Sequence, residues 1–193
     1  MKEFIDALRE KAFSESLPVM RKETCQILRE IVERKNPSRI LEIGTCIGIS
    51  GLTVLSACDG KITTVEIDEN RLLEAKENFI KCGFKERVNL ILGDCNEVLQ
   101  YLRGNKYDMV ILDGPKSAIS VHYEYALEML DKGGVIFIDD INYHGMIKAD
   151  GAPHKQRTII LALREFLTKL KSDERVNAVL YDKDDGIAVV EKI

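Results

Sequence analysis

Short apolar segments alternate with amphipathic segments between residues 39 and 140, and this alternation limits the possible folds more than any other feature. The apolar segments read RILEIG (39–44), KITTVEID (61–68), VNLILGD (88–94), YDMVILDG (107–114) and VIFIDD (135–140). The segments between them read as helices: GISGLTVLSAC (48–58), ENRLLEAKENFIKCG (69–83), CNEVLQYLR (95–103) and HYEYALEMLDKGG (122–134). Strands that alternate with helices predict a mainly parallel sheet with helices on both faces.

The flanking segments complete the predicted fold. Amphipathic helices extend to about Lys35, where Pro37 ends them, and a long helix is expected over residues 157–170. Residues 176–192 read as two strands joined by a turn at Asp184-Asp185-Gly186. We therefore predict an α/β fold with a seven-stranded, mainly parallel sheet and a C-terminal antiparallel hairpin. It forms one domain over residues 1–193, with N-terminal helices in 1–36 and the core in 37–193.

Charge and cysteine usage exclude several classes of function. The net charge of −4 over 193 residues argues against bulk electrostatic binding to DNA. No apolar run has the length of a signal peptide or a membrane span, so no membrane association is expected. The five cysteines are scattered without a CxxC pair, which disfavours a zinc site and indicates reduced thiols in a cytoplasmic protein. They are Cys25, Cys46, Cys58, Cys82 and Cys95.

Acidic residues end all five predicted parallel strands. Ligands of open α/β sheets bind at these carboxyl ends, so the recurrence points to a site there. After the first strand, Gly44 and Gly48 are four residues apart, and the dinucleotide fingerprint GxGxxG is absent. Such glycines let the backbone approach a ligand, although a plain tight turn is the alternative. Glu66 ends the second strand, where a carboxylate can accept both hydroxyls of a ribose.

Two further strand ends carry chemistry. Asp94, Cys95 and Asn96 follow the third strand, where an adenine edge could lie, with helix capping as the alternative. At the fourth and fifth strands Asp113, Asp139 and Asp140 can converge, because neighbouring strands are about 4.8 Å apart. Three clustered carboxylates repel one another without a cation, which favours a metal site over simple capping or solvent exposure. Oxygen ligands of this kind suit Mg²⁺.

These motifs resemble the class I S-adenosylmethionine-dependent methyltransferases. LEIGTCIGIS is similar to their first motif, ExGxxxG, and VEID to their second. From LPVMRKETCQIL (17–28) to DDGIAVVEK (184–192), the chain resembles the metal-dependent O-methyltransferases that include catechol and caffeoyl-CoA O-methyltransferases. Bacterial members of that family include the tRNA 5-hydroxyuridine O-methyltransferase. The resemblance implies a Rossmann-like methyltransferase fold.

The resemblance also implies roles for individual residues. The Gly44–Gly48 loop would wrap the methionine part of the cofactor, Glu66 would hold its ribose, and Lys116 would act as general base. The cofactor-binding residues expected on this basis are Glu42, Gly44, Thr45, Gly48, Ser50, Glu66, Ile67, Asp94, Cys95, Asn96 and Asp113. The expected metal ligands are Asp113, Asp139 and Asp140, with Mg²⁺, Mn²⁺ or Ca²⁺ as the cation.

Three departures from the family pattern affect the acceptor end. Asp140 replaces the usual asparagine ligand, and Ile119 replaces the aromatic residue three positions after the lysine, which would alter the substrate wall. A basic loop, NYHGMIKADGAPHKQRT (142–158), takes the place of the longer acceptor-binding insertion. Its His144 and His154 could contact the acceptor or be merely exposed, and its basic residues could meet phosphates of tRNA or only solvent.

The function expected from these features is divalent-metal-dependent O-methylation, with S-adenosylmethionine as methyl donor, of a hydroxyl that has a neighbouring oxygen. A small catechol-like molecule is the first acceptor, and a tRNA 5-hydroxyuridine is the alternative. A nucleotide-dependent oxidoreductase and a non-catalytic binding module are alternatives of other classes. A homodimer is expected, because the N-terminal helices have apolar faces that a second copy could cover.

Overall fold

The computed structural model describes residues 1–149 and 154–193, and within these ranges the chain forms a seven-stranded sheet with helices on both faces. The strands are β1 Arg39–Ile43, β2 Lys61–Glu66, β3 Val88–Leu92, β4 Tyr107–Leu112, β5 Leu130–Ile138, β6 Val176–Tyr181 and β7 Ile187–Lys192. The α-helices are α1 Lys2–Ser14, α2 Lys22–Lys35, α3 Ile49–Leu55, α4 Glu69–Lys81, α5 Cys95–Leu102, α6 Ile119–Met129 and α7 Arg157–Lys171. Short 3₁₀ turns lie at Lys85–Arg87, Lys116–Ala118 and His154–Gln156.

The strand order is β3-β2-β1-β4-β5-β7-β6, with β1 to β5 parallel and β7 antiparallel to both of its neighbours. The predicted α/β class, the mainly parallel sheet and the C-terminal hairpin are therefore confirmed. The chain leaves β1 toward one edge of the sheet and returns at β4 on the other side. The crevice above the β1–β4 boundary is the topological switch point, where ligands of such sheets bind.

Alternating residues of the strands build two apolar layers. Ile40 and Met109 face one layer, which includes residues of α1 to α4 such as Leu28 and Phe79. Leu41, Val110 and Ile136 face the other layer, which contains residues of α5, α6 and α7. The period of two along the central strands β1, β4 and β5 thus buries both faces of the middle of the sheet, as parallel sheets require.

Local signals in the sequence explain where helices begin and end. Asp68 precedes α4, and its carboxylate accepts a hydrogen bond from the Arg71 backbone N–H at 3.1 Å. After α4, Gly83 adopts φ +79°, and the Phe84 N–H donates to the Phe79 carbonyl, which closes the helix.

The predicted helix over residues 122–134 is wrong at both ends. Helix α6 begins at Ile119 and ends at Met129, and β5 already begins at Leu130. Leu130 pairs with Tyr107 of β4, with an irregularity before the regular register resumes at Met109 and Val135. Gly133 and Gly134, which suggest a helix end in the sequence, lie instead in the first part of β5. A Cβ on Gly134 would lie 2.9 Å from the Asp108 carbonyl oxygen, so close strand approach needs the glycine.

The N-terminal helices bury their apolar faces within their own chain. Ile5 and Leu8 of α1 and Leu28 and Val32 of α2 belong to the apolar layer of the sheet face that they cover. The argument that these faces favour a homodimer is therefore wrong, although the homodimer itself stays a prediction. In the described ranges, none of the helices combines the length and the apolar character needed to cross a bilayer.

Candidate functional site

A pocket of about 530 Å³ opens at the carboxyl ends of β1, β2, β4 and β5. This volume suits a ligand of the size of a nucleoside derivative with a small second molecule. Ten of the predicted site residues line it: Gly44, Glu66, Ile67, Asp94, Cys95, Asn96, Asp113, Lys116, Asp139 and Asp140. The strand ends therefore converge on one cavity, as parallel pairing requires.

The turn between β1 and α3 can come close to a ligand because glycines shape it. Gly44 has φ +99°, and a Cβ there would lie 2.6 Å from the Asp113 carbonyl oxygen. Gly48 has φ +90° and packs against the Phe79 ring. A side chain is disfavoured at both positions, because the backbone is left-handed there and because neighbouring atoms pack closely.

Glu66 is a buried carboxylate held rigidly by the backbone. Its Oε2 accepts from the Cys46 N–H at 2.7 Å, and its Oε1 accepts from the Ile67 and Asp68 N–H groups at 3.0 Å each. The three N–H donors fix the direction of both oxygens. A preorganised acceptor of this kind at the end of β2 suits a diol such as the two hydroxyls of a ribose.

Asp94, Cys95 and Asn96 form the turn into α5 at the next strand end. Asp94 caps the helix, and its Oδ1 accepts from the Asn96 backbone N–H and from Asn96 Nδ2, both at 2.8 Å. Capping, which was the alternative interpretation, is therefore what this turn does locally. The same three residues also line the pocket, so capping and ligand contact are compatible.

Asp113, Asp139 and Asp140 form an acidic cluster at the other end of the pocket. One carboxylate oxygen from each lies within 4.8 Å of those from the other two. Burial raises the pKa of Asp113, and it raises that of Asp139, where the charges of Asp113 and Asp140 add to the effect. Asp140 adopts φ +55°, and its N–H donates to Asp139 Oδ1 at 2.8 Å.

The donor set of the acidic cluster fits a hard divalent cation. Burial is the main cause of the raised pKa values of Asp113 and Asp139, and the neighbouring carboxylates raise them further, so ionising the whole cluster costs free energy. A cation would remove that cost, and oxygen-only ligands suit Mg²⁺, Mn²⁺ or Ca²⁺.

Lys116 lies beside this cluster in the short turn before α6. Its side chain is 9% exposed, and Nζ is 3.3 Å from Asp113 Oδ1. The Lys116 side chain thus lines the pocket beside the acidic cluster. Its role as general base, which the resemblance implies, stays a prediction.

Four predicted cofactor residues do not reach the pocket wall. Glu42 is fully buried, with Oε2 accepting from Thr64 Oγ1 at 2.6 Å, and burial raises its pKa to about 7. Its Oε1 has no hydrogen-bond partner among the described residues. The hydroxyl of Thr45 pairs with that of Thr64, and Ser50 is buried in the first turn of α3. These three residues and Gly48 are not among the residues that line the pocket.

The acceptor end differs from expectation at Ile119. Ile119 is buried in the apolar layer between the sheet and α5 to α7, so it does not form the substrate wall. Of the loop 142–158, residues 150–153 lie outside the described residues. Lys148 pairs with Asp182 at 2.9 Å, and His154 lies in an exposed 3₁₀ turn.

His144 does line the pocket, and it is anchored from behind. Its backbone N–H donates to both carboxylate oxygens of Asp185, and its Nδ1 is 3.3 Å from Oδ2 of that residue. Asp185 is 4% exposed and lies in the turn between β6 and β7. The sequence marked that turn only as a hairpin signal.

The sequence prediction missed one side of the pocket and one residue behind it. The connection between α1 and α2 forms one side of it, through Leu17, Pro18, Val19, Met20 and Arg21, together with Phe13 of α1. His122, at the start of α6, is buried behind Cys95 and Asn96. The sequence signal for the α1–α2 connection was an apolar, helix-free segment between two amphipathic helices. For His122, a histidine within an apolar helix face, the sequence contained no signal.

Comparisons with known proteins agree with this geometry. A profile of the O-methyltransferase family matches residues 1–193. The "Probable caffeoyl-CoA O-methyltransferase 1" of Dictyostelium discoideum is 28% identical over 177 residues, which cover 89% of this chain and 76% of that protein.

Solved structures give the same result for the fold. A Staphylococcus aureus protein assigned as a caffeoyl-CoA O-methyltransferase aligns with a TM-score of 0.91 and 26% identity, over 98% of this chain and 92% of that one. The O-methyltransferase TomG from Streptomyces achromogenes, solved in complex with S-adenosylmethionine, aligns with a TM-score of 0.88 and 22% identity, over 98% and 89%. The resemblance stated from the motifs is confirmed, and the oxidoreductase alternative finds no support. The chain belongs to the O-methyltransferase family and is an O-methyltransferase.

Proposed function

We propose that this enzyme uses S-adenosylmethionine and a divalent cation to methylate one hydroxyl of a small catechol-like acceptor. The observation that carries the proposal is the position of the acidic cluster and Lys116 in the same pocket as Glu66 and the Gly44 turn. A methyl donor bound at Glu66 and a hydroxylated acceptor bound at the acidic cluster would therefore meet within one cavity of about 530 Å³.

The two ends of the pocket would bind different groups, the methyl donor at one end and the cation with the acceptor at the other. S-Adenosylmethionine supplies the methyl group, and Glu66 would hold its ribose with an acceptor geometry fixed by three backbone donors. Asp94, Cys95 and Asn96 would border its adenine. The cation, held by Asp113, Asp139 and Asp140, would supply positive charge next to the acceptor oxygen. Lys116, as its neutral amine, would receive the hydroxyl proton, and the pocket would align the oxygen with the methyl group. The oxygen would then take the methyl group, and the sulfonium would leave as the thioether S-adenosylhomocysteine.

The choice of acceptor rests on the shape of the site and on the loop charges. A catechol presents two adjacent oxygens, which suit a site with one cation and one nearby lysine. A tRNA 5-hydroxyuridine offers similar oxygens, but the loop that would meet its phosphates has Lys148 paired with Asp182. Labelled S-adenosylmethionine with separate pools of small phenols and hydroxylated tRNA distinguishes the two acceptors. Labelling of the tRNA pool alone would contradict our choice.

The metal assignment is tested with the variant Asp139→Ala. We expect at least a hundredfold loss of turnover with catechol, because the cation loses the most buried ligand. Binding of S-adenosylhomocysteine should stay measurable by calorimetry, since Asp139 lies at the acceptor end. The matched control is Asp59→Ala, an exposed aspartate after α3. Wild-type turnover that persists undiminished in EDTA would refute the role of a cation.

Two further proposals concern the enzyme as a whole. We propose a cytoplasmic enzyme, which the five free thiols of the chain support. We also propose a homodimer, for which exposed apolar side chains such as Val179 and Leu180 on the edge strand β6 leave surface available. Light scattering tests it, since a single chain has a mass of 21.8 kDa. That mass at micromolar concentration would contradict the dimer.

A further inference from the structure

A buried histidine lies directly behind the pocket end assigned to adenine. His122, on α6, is 2% exposed, and its Nε2 is 3.0 Å from Asn96 Oδ1 and 3.6 Å from Cys95 Sγ. Asn96 in turn contacts Asp94, so the three side chains form one chain of hydrogen bonds. His122 has no part in the proposed chemistry, and its position calls for another explanation.

The direction of every hydrogen bond in this chain follows from the carboxylate. Asp94 is an acceptor, so the Asn96 group at 2.8 Å from its Oδ1 must be the amide nitrogen. The amide oxygen of Asn96 then faces His122, and an oxygen can only accept. Nε2 of His122 therefore carries the proton and donates to Asn96. Burial lowers the pKa of His122, which agrees with a neutral ring in this tautomer.

The charged groups around the ring leave this assignment intact. Asp94 and Lys116 act on His122 in opposite directions, the carboxylate raising its pKa and the ammonium lowering it. The neutral ring with one proton on Nε2 satisfies Asn96 without placing a buried charge.

This arrangement determines which hydrogen-bonding groups of Asp94 and Asn96 remain for contact with a nucleobase. With Oδ1 held by His122, Asn96 retains a second N–H on Nδ2, and Asp94 retains Oδ2, which accepts no hydrogen bond from the described part of the chain. One donor beside one acceptor complements the edge of adenine, where N1 accepts and the amino group donates. A 6-oxopurine has the reverse pattern, with a donor at N1 and an acceptor at O6.

We propose that His122 is a positioning residue that, together with Asp94, fixes the amide of Asn96 and thereby makes the cofactor pocket select adenine over a 6-oxopurine. The inference rests on the proposed function, because it concerns the site assigned to the nucleoside of the cofactor. It goes beyond that function in assigning base selectivity to a residue that does not line the pocket. Without the donor from His122, Asp94 alone would hold the amide at its nitrogen, the Nδ2–H that faces the base would lose its fixed direction, and the selectivity would then fall.

The test compares two probes, S-adenosylhomocysteine and its deaminated analogue S-inosylhomocysteine, by calorimetry with the full chain. We expect His122→Phe to bind S-adenosylhomocysteine about tenfold more weakly while S-inosylhomocysteine changes little, so that the selectivity falls about tenfold. His122→Gln, whose amide can still donate to Asn96, should restore most of the selectivity. An equal weakening of both probes, or no change in either, overturns the proposal. A thermal unfolding curve for each variant confirms that it is folded.

A second measurement does not depend on ligand binding. Nitrogen-15 NMR of the imidazole rings distinguishes a proton on Nε2 from one on Nδ1, and the chain has only three histidines to assign. We expect the His122 signal, identified by its loss in His122→Gln, to show the Nε2–H form. The Nδ1–H form would overturn the proposal. A wild-type chain that fails to bind S-adenosylhomocysteine would instead refute the proposed function, and the NMR result would still test the hydrogen-bond chain.

Discussion

At the scale of single residues, the properties of the site come from carboxyl groups kept close together away from water. Asp113 and Asp139 end neighbouring parallel strands, and burial raises the pKa of both. Their proximity costs free energy when both are ionised, and a bound cation would remove that cost. Asp140 in place of the family's asparagine adds a third charge to the same volume, which strengthens the demand for a cation.

We expect the metal-free protein to lose stability between about pH 4, where the unfolded aspartates ionise, and about pH 8, to which the pKa of Asp139 is raised, and to bind Mg²⁺ more tightly over the same range. Raised pKa values mean that the folded chain holds protons that the unfolded chain has already released, so stability is lost as the pH rises toward those values. A cation binds ionised carboxylates, so its affinity rises as these protons leave. Thermal unfolding and calorimetric titration at several pH values measure both effects.

The control for this prediction is Asp139→Asn, which removes one of the raised carboxyls. Glu42, whose pKa burial raises to about 7, changes stability in the same direction but lies away from the cluster. The stability of the variant should therefore still depend in part on pH, whereas its Mg²⁺ affinity should lose most of its pH dependence. A wild-type Mg²⁺ affinity that is equal at both ends of the range would contradict the prediction.

At the scale of elements, the site depends on the turns that follow the strands. The turn after β1 approaches β4 so closely that Gly44 faces the Asp113 backbone. The turn between β6 and β7 lies under the loop after β5, where the Asn142 N–H donates to the Asp185 carbonyl at 2.7 Å. In the same turn, Asp184 accepts from the N–H and the hydroxyl of Thr24, at 2.8 Å each, at the start of α2. The hairpin thus supports two sides of the pocket.

We expect Gly44→Ala to abolish measurable binding of S-adenosylhomocysteine and to lower the free energy of unfolding by at least about 2 kcal/mol. The added Cβ meets the Asp113 carbonyl oxygen at 2.6 Å, and φ is +99°. Gly83→Ala is the matched control, because φ is +79° there but nothing lies within 4 Å. It should cost only about 1 kcal/mol and leave binding unchanged. Equal effects of the two substitutions on binding would contradict this explanation.

We expect Asp185→Asn to raise the KM of the acceptor and lower turnover about tenfold, with unchanged affinity for S-adenosylhomocysteine. The buried carboxylate holds the His144 backbone with both oxygens, and an amide offers only one acceptor. The loss of a charge-assisted hydrogen bond costs about 1–3 kcal/mol of stability. Steady-state kinetics and thermal unfolding measure these effects. Asp182→Asn, at an exposed position of the same turn, should change neither, and a comparable loss there would contradict the assignment.

At the scale of the whole molecule, the N-terminal segment forms one side of the pocket that lies at the carboxyl ends of the strands. Helices α1 and α2 cover one face of the sheet, and their connection reaches the pocket through Leu17 to Arg21. Arg9 holds this connection from α1, since its Nε donates to the Met20 carbonyl at 3.3 Å and its Nη1 to Asp6 at 2.8 Å. Arg9 itself is only 5% exposed. The shape of the pocket therefore depends on contacts outside the βα units.

We expect Arg9→Ala to weaken S-adenosylhomocysteine binding severalfold and to lower the free energy of unfolding by about 1–3 kcal/mol, because the Met20 carbonyl loses its donor and the buried stem leaves a cavity. Calorimetry and denaturant unfolding measure the two effects. Arg29→Ala, which removes an exposed pair with Glu33 on α2, is the control and should change neither by much. Full binding by Arg9→Ala would show that the connection holds its position without this anchor.

The sequence by itself determined the sheet, the strand ends and most of the residues at the site. Its alternation of apolar and amphipathic segments allows little besides a parallel sheet, and parallel strands bring their ends together. Gly44, Glu66, Asp94, Asp113, Lys116 and Asp139 could therefore be placed at one edge from their positions in the chain. The limits of β5 were wrong because pairing with β4 outweighs the local helical pattern.

Only the tertiary structure decided which of these residues face the pocket and what supports them. Glu42 lies within the paired part of β1, opposite Thr64, and its carboxylate bonds the Thr64 hydroxyl and does not line the pocket. The anchoring by Asp184, Asp185 and Arg9 and the position of His122 arise from contacts between segments 11 to 160 residues apart. No local pattern encodes such contacts, because they form only when distant elements pack against one another.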